Sequence, residues 1–442
     1  MGMIDNPITS LVGKELIFGY NKWKGSLAAP NGCIYGIPES AHQVVKFNPV
    51  DKSITEIGPD FGVRTKWISG AITENGVIYC PPYGDYGILK IDTNTDTVTE
   101  LDRNLRPERG DGMWDSCALA LDGCIYFMPL NARRIMKLDP NNNDAMSSVG
   151  DDLGRTHGHK KYGGTVVGID RCVYGIPRKS KRIVKYDPIN HVTSFIGEKA
   201  DKDFWCEGNG ALGRDGCIYA VTIYGRVLQI DTNNNSHGFV GNIIDSDERG
   251  WGDAILGIDG CIYWPPFTAI RTLKYDPHSN QTSLVGDDFE RYGCKWISGA
   301  LAADGVIYCI PRNANQILAI APLGEFEAAT ETNMQEHPEE FGYLFQTIEV
   351  DEDSVLSFTN FDLAVAKFGQ NKVFEVLDKY MEPMNNFCTE SNLYPFMIAA
   401  SYKKSTVCAI NRLLRHELAW VNEYMKSLEG KVLNNKKRKR DS

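Results

Sequence analysis

The strongest constraint on the fold is a tyrosine that returns seven times in the first three quarters of the chain. It follows Ile or Val each time, and it occupies positions Tyr35, Tyr79, Tyr126, Tyr174, Tyr219, Tyr263 and Tyr308. Successive copies are 44 to 48 residues apart. Self-similarity at this period is typical of propellers and other repeat arrays.

Each repeat has the pattern of four short strands. In the last copy, "WISGALAA" precedes an Asp-Gly turn, which is followed by "GVIYCIP", a variable loop and "QILAIAP". Asp-Gly between such runs is a strong hairpin signal, and no helical period interrupts the pattern. Ankyrin and tetratricopeptide units are shorter and helical. We therefore predict an all-β domain over residues 6–324, a seven-bladed β-propeller.

The N-terminus carries a stray piece of the repeat. Residues 9–13, "TSLVG", recur letter for letter at 282–286, where they end the sixth repeat. The seventh repeat lacks this ending and leaves as "LGEFEAATE". We predict that residues 8–13 supply the missing outer strand of the seventh blade and so close the ring.

The order S-G-A-x-x-x-D-G-x-I-Y, followed by K-Y-D-P-x-x-N-x-T, resembles a kelch-type repeat. The kelch Gly-Gly doublet is replaced here by segments such as "GIP" and "CPP", and the Trp after Asp-Pro is missing. The resemblance implies a propeller that acts as an interaction module. Galactose-oxidase-type enzymes are a minority of such propellers, and their copper-ligand spacing does not match this sequence.

Cysteine and aspartate each recur at one position of the repeat. The cysteines are Cys33, Cys124, Cys172, Cys217 and Cys261, in a position that holds Val in the two other copies. This exchange indicates a small apolar core site with reduced thiols. The aspartates are Asp92, Asp139, Asp187, Asp231 and Asp276. They form either a metal or catalytic ring or a set of turn caps, and the following Pro or Thr-Asn favours turn caps.

An aromatic residue precedes the hairpin of most repeats, and a lysine often precedes that aromatic. The members of these two sets are Lys22, Trp23, Lys66, Trp67, Trp114, Lys161, Tyr162, Trp251, Lys295 and Trp296. The fifth repeat departs, with Glu207 at the aromatic position and Trp205 two residues earlier. One interpretation is a partner-binding ring around the channel mouth. The alternative is a structural wedge between adjacent blades.

Basic residues are concentrated in the loops of the third and fourth repeats. They include Arg103, Arg106, Arg109, Arg133, Arg134, Arg155, Lys160, Arg178, Lys179, Lys181 and Arg182. A cationic sector on a net-acidic protein predicts a protein partner with an acidic or phosphorylated segment. The alternative is a solvated surface. His157 and His159 lack further ligands of suitable spacing, so we predict no metal and no cofactor.

The sequence changes character after Gly324. Residues 325–360 are acid-rich and indicate a linker, whereas 361–430 repeat apolar residues at helical spacing and resemble a degenerate ankyrin-like module. Residues 431–442 are predicted to be a disordered basic tail. Its run Lys436, Lys437, Arg438, Lys439 and Arg440 is either a nuclear-import signal or an electrostatic tail.

Composition, net charge and motifs limit the classes of function that this chain could have. The net charge of −10 makes direct nucleic-acid binding unlikely, and no apolar run is long enough to span a membrane. No nucleophile with its base, phosphate-binding glycine loop or paired carboxylates is evident. We therefore expect a non-enzymatic, intracellular scaffold, nuclear or cytoplasmic, that binds a partner segment on the loop face. The alternative is a lyase- or hydrolase-type propeller enzyme with its site at the channel mouth.

Overall fold

The computed structural model describes residues 8–16, 19–83, 86–101, 112–154, 160–197, 205–244, 250–291, 293–322, 348–350 and 354–356. The chain divides into two units, Met1–Gly324 and Glu325–Ser442. All regular structure in the described residues is β, so none of it is a helix able to cross a membrane.

Seven antiparallel four-stranded sheets form the blades. The first three contain β2 (Trp23–Ala28), β3 (Ile34–Pro38), β4 (Val44–Phe47), β5 (Ile54–Ile57); β6 (Ala71–Ile72), β7 (Val77–Cys80), β8 (Leu89–Asp92), β9 (Thr97–Glu100); and β10 (Trp114–Leu119), β11 (Ile125–Pro129), β12 (Ile135–Asp139), β13 (Ala145–Val149). The next three contain β14 (Tyr162–Val167), β15 (Val173–Pro177), β16 (Ile183–Asp187), β17 (Val192–Ile196); β18 (Ala211–Leu212), β19 (Cys217–Val221), β20 (Val227–Asp231), β21 (Ser236–Val240); and β22 (Ile255–Leu256), β23 (Ile262–Trp264), β24 (Thr272–Asp276), β25 (Gln281–Val285). The seventh contains β26 (Ala300–Leu301), β27 (Ile307–Cys309), β28 (Ile317–Ala321) and β1 (Ile8–Val12).

The hydrophobic core lies between neighbouring blades. Each of the clusters of buried apolar residues in the described chain draws on two adjacent blades, and together they cover all seven boundaries. The last boundary joins Trp23 and Phe47 of the first blade to Tyr308 of the seventh, and the Phe47 and Tyr308 ring centroids are 5.0 Å apart. The seven-bladed propeller predicted from the repeat is thus a closed ring.

The N-terminal strand closes the seventh blade, as the sequence predicted. β1 pairs antiparallel with β28, with Ile8 opposite Ala321 and Val12 opposite Ile317. The Thr9 hydroxyl accepts a hydrogen bond from the backbone N–H of Asp287 at 2.7 Å and donates one to its carboxylate at 3.1 Å. Strand pairing and side-chain bonding together join the two ends of the propeller.

The repeated tyrosine explains the Asp of the Asp-Gly turn. In the third to seventh blades its hydroxyl donates to the carboxylate four residues earlier, as in Tyr126 to Asp122 at 2.7 Å and Tyr174 to Asp170 at 2.8 Å. A lysine from the third strand completes the group: Lys185 contacts Asp170 at 2.6 Å and lies over the Tyr174 ring. In these five blades the tyrosine and the turn aspartate therefore form the same hydrogen-bonded unit.

The other recurrent residues are also structural. Each recurrent Asp after the third strand accepts a backbone N–H two residues on, as in Asp92 from Asn94 at 3.0 Å. This confirms the turn-capping interpretation. The five repeated cysteines are buried, as the apolar-site interpretation predicted.

The second unit is described only at one point. Ile348–Val350 and Ser354–Leu356 form a two-stranded antiparallel hairpin inside the segment predicted to be a linker. The predicted ankyrin-like module at 361–430 and the basic tail at 431–442 lie outside the described residues.

Deleting residues 1–14 should destabilise the whole propeller, because it removes β1 and leaves β28 as an exposed edge. We expect the melting temperature to fall by about 10 °C or more, measured by circular dichroism. A synthetic peptide of residues 1–14 added in trans should restore part of the loss. An unchanged melting temperature would contradict ring closure by β1.

The tyrosines should make the fold sensitive to alkali. Burial, reinforced by the adjacent carboxylate, raises the pKa of Tyr126, Tyr174 and Tyr263 well above the usual 10.0. A raised folded-state pKa contributes stability that is complete below the unfolded pKa and is lost as the pH rises past it. We expect the free energy of unfolding to fall above about pH 10, measured by urea titration. Tyr174→Phe should lessen that fall, and an identical pH profile for this variant would count against the idea.

Candidate functional site

The channel mouth is the face where the chain enters the innermost strand of each blade and where the loops between second and third strands lie. It contains a cavity of about 260 Å³. The charged lining residues are Lys24, Glu39, Lys160, Arg178, Glu207 and Arg312, and the larger apolar ones are Ile68, Trp251, Phe267 and Ile297. The lining thus combines charged and apolar side chains.

One side of the mouth is a cationic cluster around Asp115, which is buried. Lys24 Nζ lies 3.3 Å from Asp115 Oδ1, and Arg178 Nη1 lies 3.0 Å from Oδ2. Lys160 belongs to the same cluster. Burial lowers the pKa of its ammonium group, and the nearby charge of Arg178 lowers it further. Within the described residues the Lys160 ammonium has no hydrogen bond or ion pair. Lys24 and Arg178 therefore share one carboxylate, and Lys160 adds a third positive charge nearby.

A second ion pair in the mouth has no net charge. Arg312 forms two hydrogen bonds with the carboxylate of Glu39, at 2.6 and 3.0 Å, across the boundary between the seventh and first blades. The Arg312 guanidinium also lies 5.7 Å from the centroid of the Phe267 ring. Because each charge of this pair is satisfied by the other, the pair joins the two blades and adds no net charge to the mouth.

The predicted aromatic ring lies in the blade interior and not around the mouth. Trp23, Trp67, Trp114, Tyr162, Trp251 and Trp296 are all buried. Each tryptophan donates its indole N–H to the backbone carbonyl twenty residues on, as in Trp67 to Gly87 at 2.9 Å. This is the wedge of the alternative interpretation, and it corrects the expectation of an accessible ring. Of these residues only Trp251 reaches the cavity lining.

The predicted lysines are buried for the same reason. Lys22, Lys66, Lys161 and Lys295 each donate to backbone carbonyls of neighbouring loops, for example Lys295 to Ala269 at 2.9 Å. Burial lowers the pKa of Lys22, Lys66 and Lys295 to about 8. Their ammonium groups tie blades together, so they are not available to a partner as the ring expectation required.

The predicted cationic sector divides into a central part and a peripheral part. Arg178 lines the cavity. Arg133 is paired with Asp152, Arg134 donates to the Gly150 carbonyl, and Arg182 lies 4.1 Å from the centre of the Phe195 ring. Lys181 is exposed outside the cavity lining. Residues 102–111 and 155–159, which hold Arg103, Arg106, Arg109, Arg155 and the His pair, lie outside the described residues.

The fifth blade breaks the repeat at the mouth. In the second blade Trp67 bridges Pro82, and four residues later Ala71 pairs with the repeat tyrosine. In the fifth blade the equivalent bridge is made by Cys206, and the residue that pairs with the tyrosine, Ala211, comes five residues later. The expected alignment of Glu207 with the aromatics is therefore shifted by one. Glu207 instead directly follows the bridging residue, in a connection that is one residue longer than in the other blades, and it is exposed at the cavity.

A series of hydrogen-bonded polar groups lines the channel axis below the mouth. Ser116 and Thr165 are joined through their hydroxyls at 2.7 Å. The Asn209 amide oxygen accepts from the Thr165 N–H at 2.8 Å, and Asp253 accepts from the Asn209 N–H at 2.7 Å. Desolvation raises the pKa of Asp253, which remains partly open to the channel. These hydrogen bonds link successive inner strands and place the Asp253 carboxyl near the axis.

Sequence reasoning missed Lys24, Glu39, Asp115 and Arg312. A signal was present, because these residues occupy two slots of the repeat in which residue type changes from blade to blade. One slot follows the buried aromatic, as at Lys24 and Asp115, and the other comes four residues after the repeat tyrosine, as at Glu39, Arg178 and Arg312. Positions that vary while the surrounding repeat is constant mark functional or strained sites.

Gly252 should be essential for the narrow side of the mouth. A Cβ there would lie 2.0 Å from the Ile297 carbonyl oxygen, whereas a Cβ at Gly238 would meet nothing within 4 Å. We expect Gly252→Ala to lower the free energy of unfolding by about 2 kcal/mol, because it overpacks the axis. Gly238→Ala, the control, should be close to neutral. Equal free energies of unfolding for the two variants would show that the backbone at Gly252 is not held this close to the Ile297 carbonyl.

Comparison with models of known families and with characterised protein sequences finds no match. Solved structures do match. A streptogramin B lyase is 16% identical, with a TM-score of 0.59, over 72% of this chain and 99% of its own. Virginiamycin B lyase from Staphylococcus aureus is 13% identical with a TM-score of 0.59, and hydrazine synthase from Kuenenia stuttgartiensis is 13% identical with a TM-score of 0.53; each covers 71% of this chain and 99% of its own. At these identities the likeness is one of fold, the β-propeller.

Proposed function

We propose that the channel mouth binds an acidic side chain, a carboxylate or a phosphate, presented by a segment of a partner protein. The observation that carries this proposal is the gathering of three cations, Lys24, Lys160 and Arg178, around the buried Asp115. Lys24 and Arg178 share that carboxylate, and Lys160 has no partner of its own within the described residues. An arriving anion would gain charge-assisted hydrogen bonds from groups already gathered and partly desolvated.

The size and walls of the cavity suit a protruding segment. A volume of about 260 Å³ is at the small end of ligand pockets, which usually range over about 300–1,000 Å³. It therefore accommodates one or two side chains. The apolar lining residues Ile68, Phe267 and Ile297 offer surface against which the hydrocarbon part of the segment would pack. The exposed Lys181 at the periphery would add attraction at longer range.

The second candidate function is a lyase- or hydrolase-type enzyme that uses the same mouth. It is favoured by Asp253, whose raised pKa lets the carboxyl hold a proton at a higher pH than an exposed aspartate. Asp253 follows the cavity residue Gly252. Binding and catalysis are distinguished by the fate of the ligand, since an enzyme returns it chemically changed.

Arg178→Ser should weaken binding of a capped peptide that contains one Asp among alanines, and of its phosphoserine counterpart, by about tenfold or more. The loss is expected because the Arg178 guanidinium lines the cavity within the cationic cluster around Asp115. Binding is measured by isothermal titration calorimetry, and the recovered peptide by mass spectrometry. Lys160→Ser should act in the same direction.

Arg171→Gly is the matched control. It removes the same charge from a hairpin turn at the opposite end of the blade, at a residue whose φ of 68° suits glycine. This variant should bind as the wild type does. If neither peptide binds the wild type, or if Arg178→Ser and Arg171→Gly bind equally well, the proposed function is wrong. A chemically altered peptide would support the enzyme instead.

A further inference from the structure

We propose that Glu207 is a specificity-determining residue of the mouth, and that it selects ligands in which the acidic side chain is accompanied by a nearby basic one. This inference rests on the proposed function, because it concerns the same site. It predicts a ligand with one acid and one base, and it predicts discrimination against ligands with two adjacent acids.

The first argument is the position of Glu207. It directly follows the Cys206 bridge, in a connection to the residue that pairs with the repeat tyrosine. Ala211 comes five residues after Cys206, whereas the same spacing is four in the other six blades, as from Trp251 to Ile255. The bridge of Cys206 to Thr222 is retained, and the Glu207 side chain is exposed at the cavity.

The second argument is charge. The Cys206 N–H donates to the Pro177 carbonyl at 3.1 Å, so the residues that follow, Glu207 and Arg178, flank the same blade boundary. Both line the cavity, yet Arg178 pairs with Asp115. Glu207 is exposed and has no ion pair or hydrogen bond within the described chain. A carboxylate and a cationic cluster thus stand side by side, each with unused capacity.

The third argument is complementarity. A lone acid would gain from Lys160 and Arg178, but a second acid beside it would be repelled by Glu207. A lysine or arginine at that place would instead meet the unpaired carboxylate. Since an unfavourable contact contributes as much to selectivity as a favourable one, a single glutamate at the mouth would separate acid–base segments from polyacidic ones.

The test compares three capped alanine-based peptides: one with a single Asp, one with Lys immediately or one residue after that Asp, and one with two adjacent Asp residues. With the full-length protein, the Asp–Lys peptide should bind about tenfold tighter than the single-Asp peptide, and the double-Asp peptide more weakly. Glu207→Gln should abolish the Lys preference and leave single-Asp affinity unchanged or higher. Glu207→Lys should reverse the order.

The control is Glu56→Gln, at an exposed position on β5 away from the cavity. It should keep the wild-type order of the three peptides. Equal affinities for the three peptides in the wild type, or an unchanged order in Glu207→Gln, would overturn this inference even if Arg178→Ser shows that acids bind. If the wild-type protein binds none of the three peptides, the proposed function is wrong as well.

Discussion

The propeller depends on a belt of backbone hydrogen bonds that passes from blade to blade around the mouth. The N–H of Lys66, at the entry to the second blade, donates to the carbonyl of Glu39 in the first at 2.9 Å. The same step recurs from Lys161 to Leu130 and from Lys295 to Phe267, and Lys22 closes the circle on Arg312 at 2.9 Å. Since backbone groups make these bonds, they hold whatever side chain each blade presents.

The candidate site is built on this belt. Glu39 and Arg312 use their backbone in it and project their side chains into the cavity, while Arg178 donates its N–H to the Lys161 carbonyl at 2.8 Å. The structural lysines and tryptophans beneath them are buried, so the belt residues are rigidly held. A rigid ring with variable residues at fixed positions separates stability from recognition, and it holds the three cations close together around Asp115.

Much of the fold was readable because a repeat states the same information seven times. The Tyr spacing, the Asp-Gly turns and the stray "TSLVG" gave the blades and their closure. The site was harder. Burial of Trp67 and Lys66 follows from packing between blades, which the pattern of one blade does not contain, and for this reason the accessible ring was expected in error. Asp115 was missed because its partners Lys24 and Arg178 are 91 and 63 residues away in sequence.

The sequence by itself determined the number of blades, the order of strands within them and the use of an N-terminal strand to complete the seventh blade. All three follow from the repeat period and the turn residues. Only the tertiary structure decided which side chains reach the mouth. That choice depends on how close neighbouring blades approach at the axis, as at Gly252, and on the longer connection after Cys206 in which Glu207 lines the cavity. Such contacts join residues of different repeats, so no single repeat encodes them.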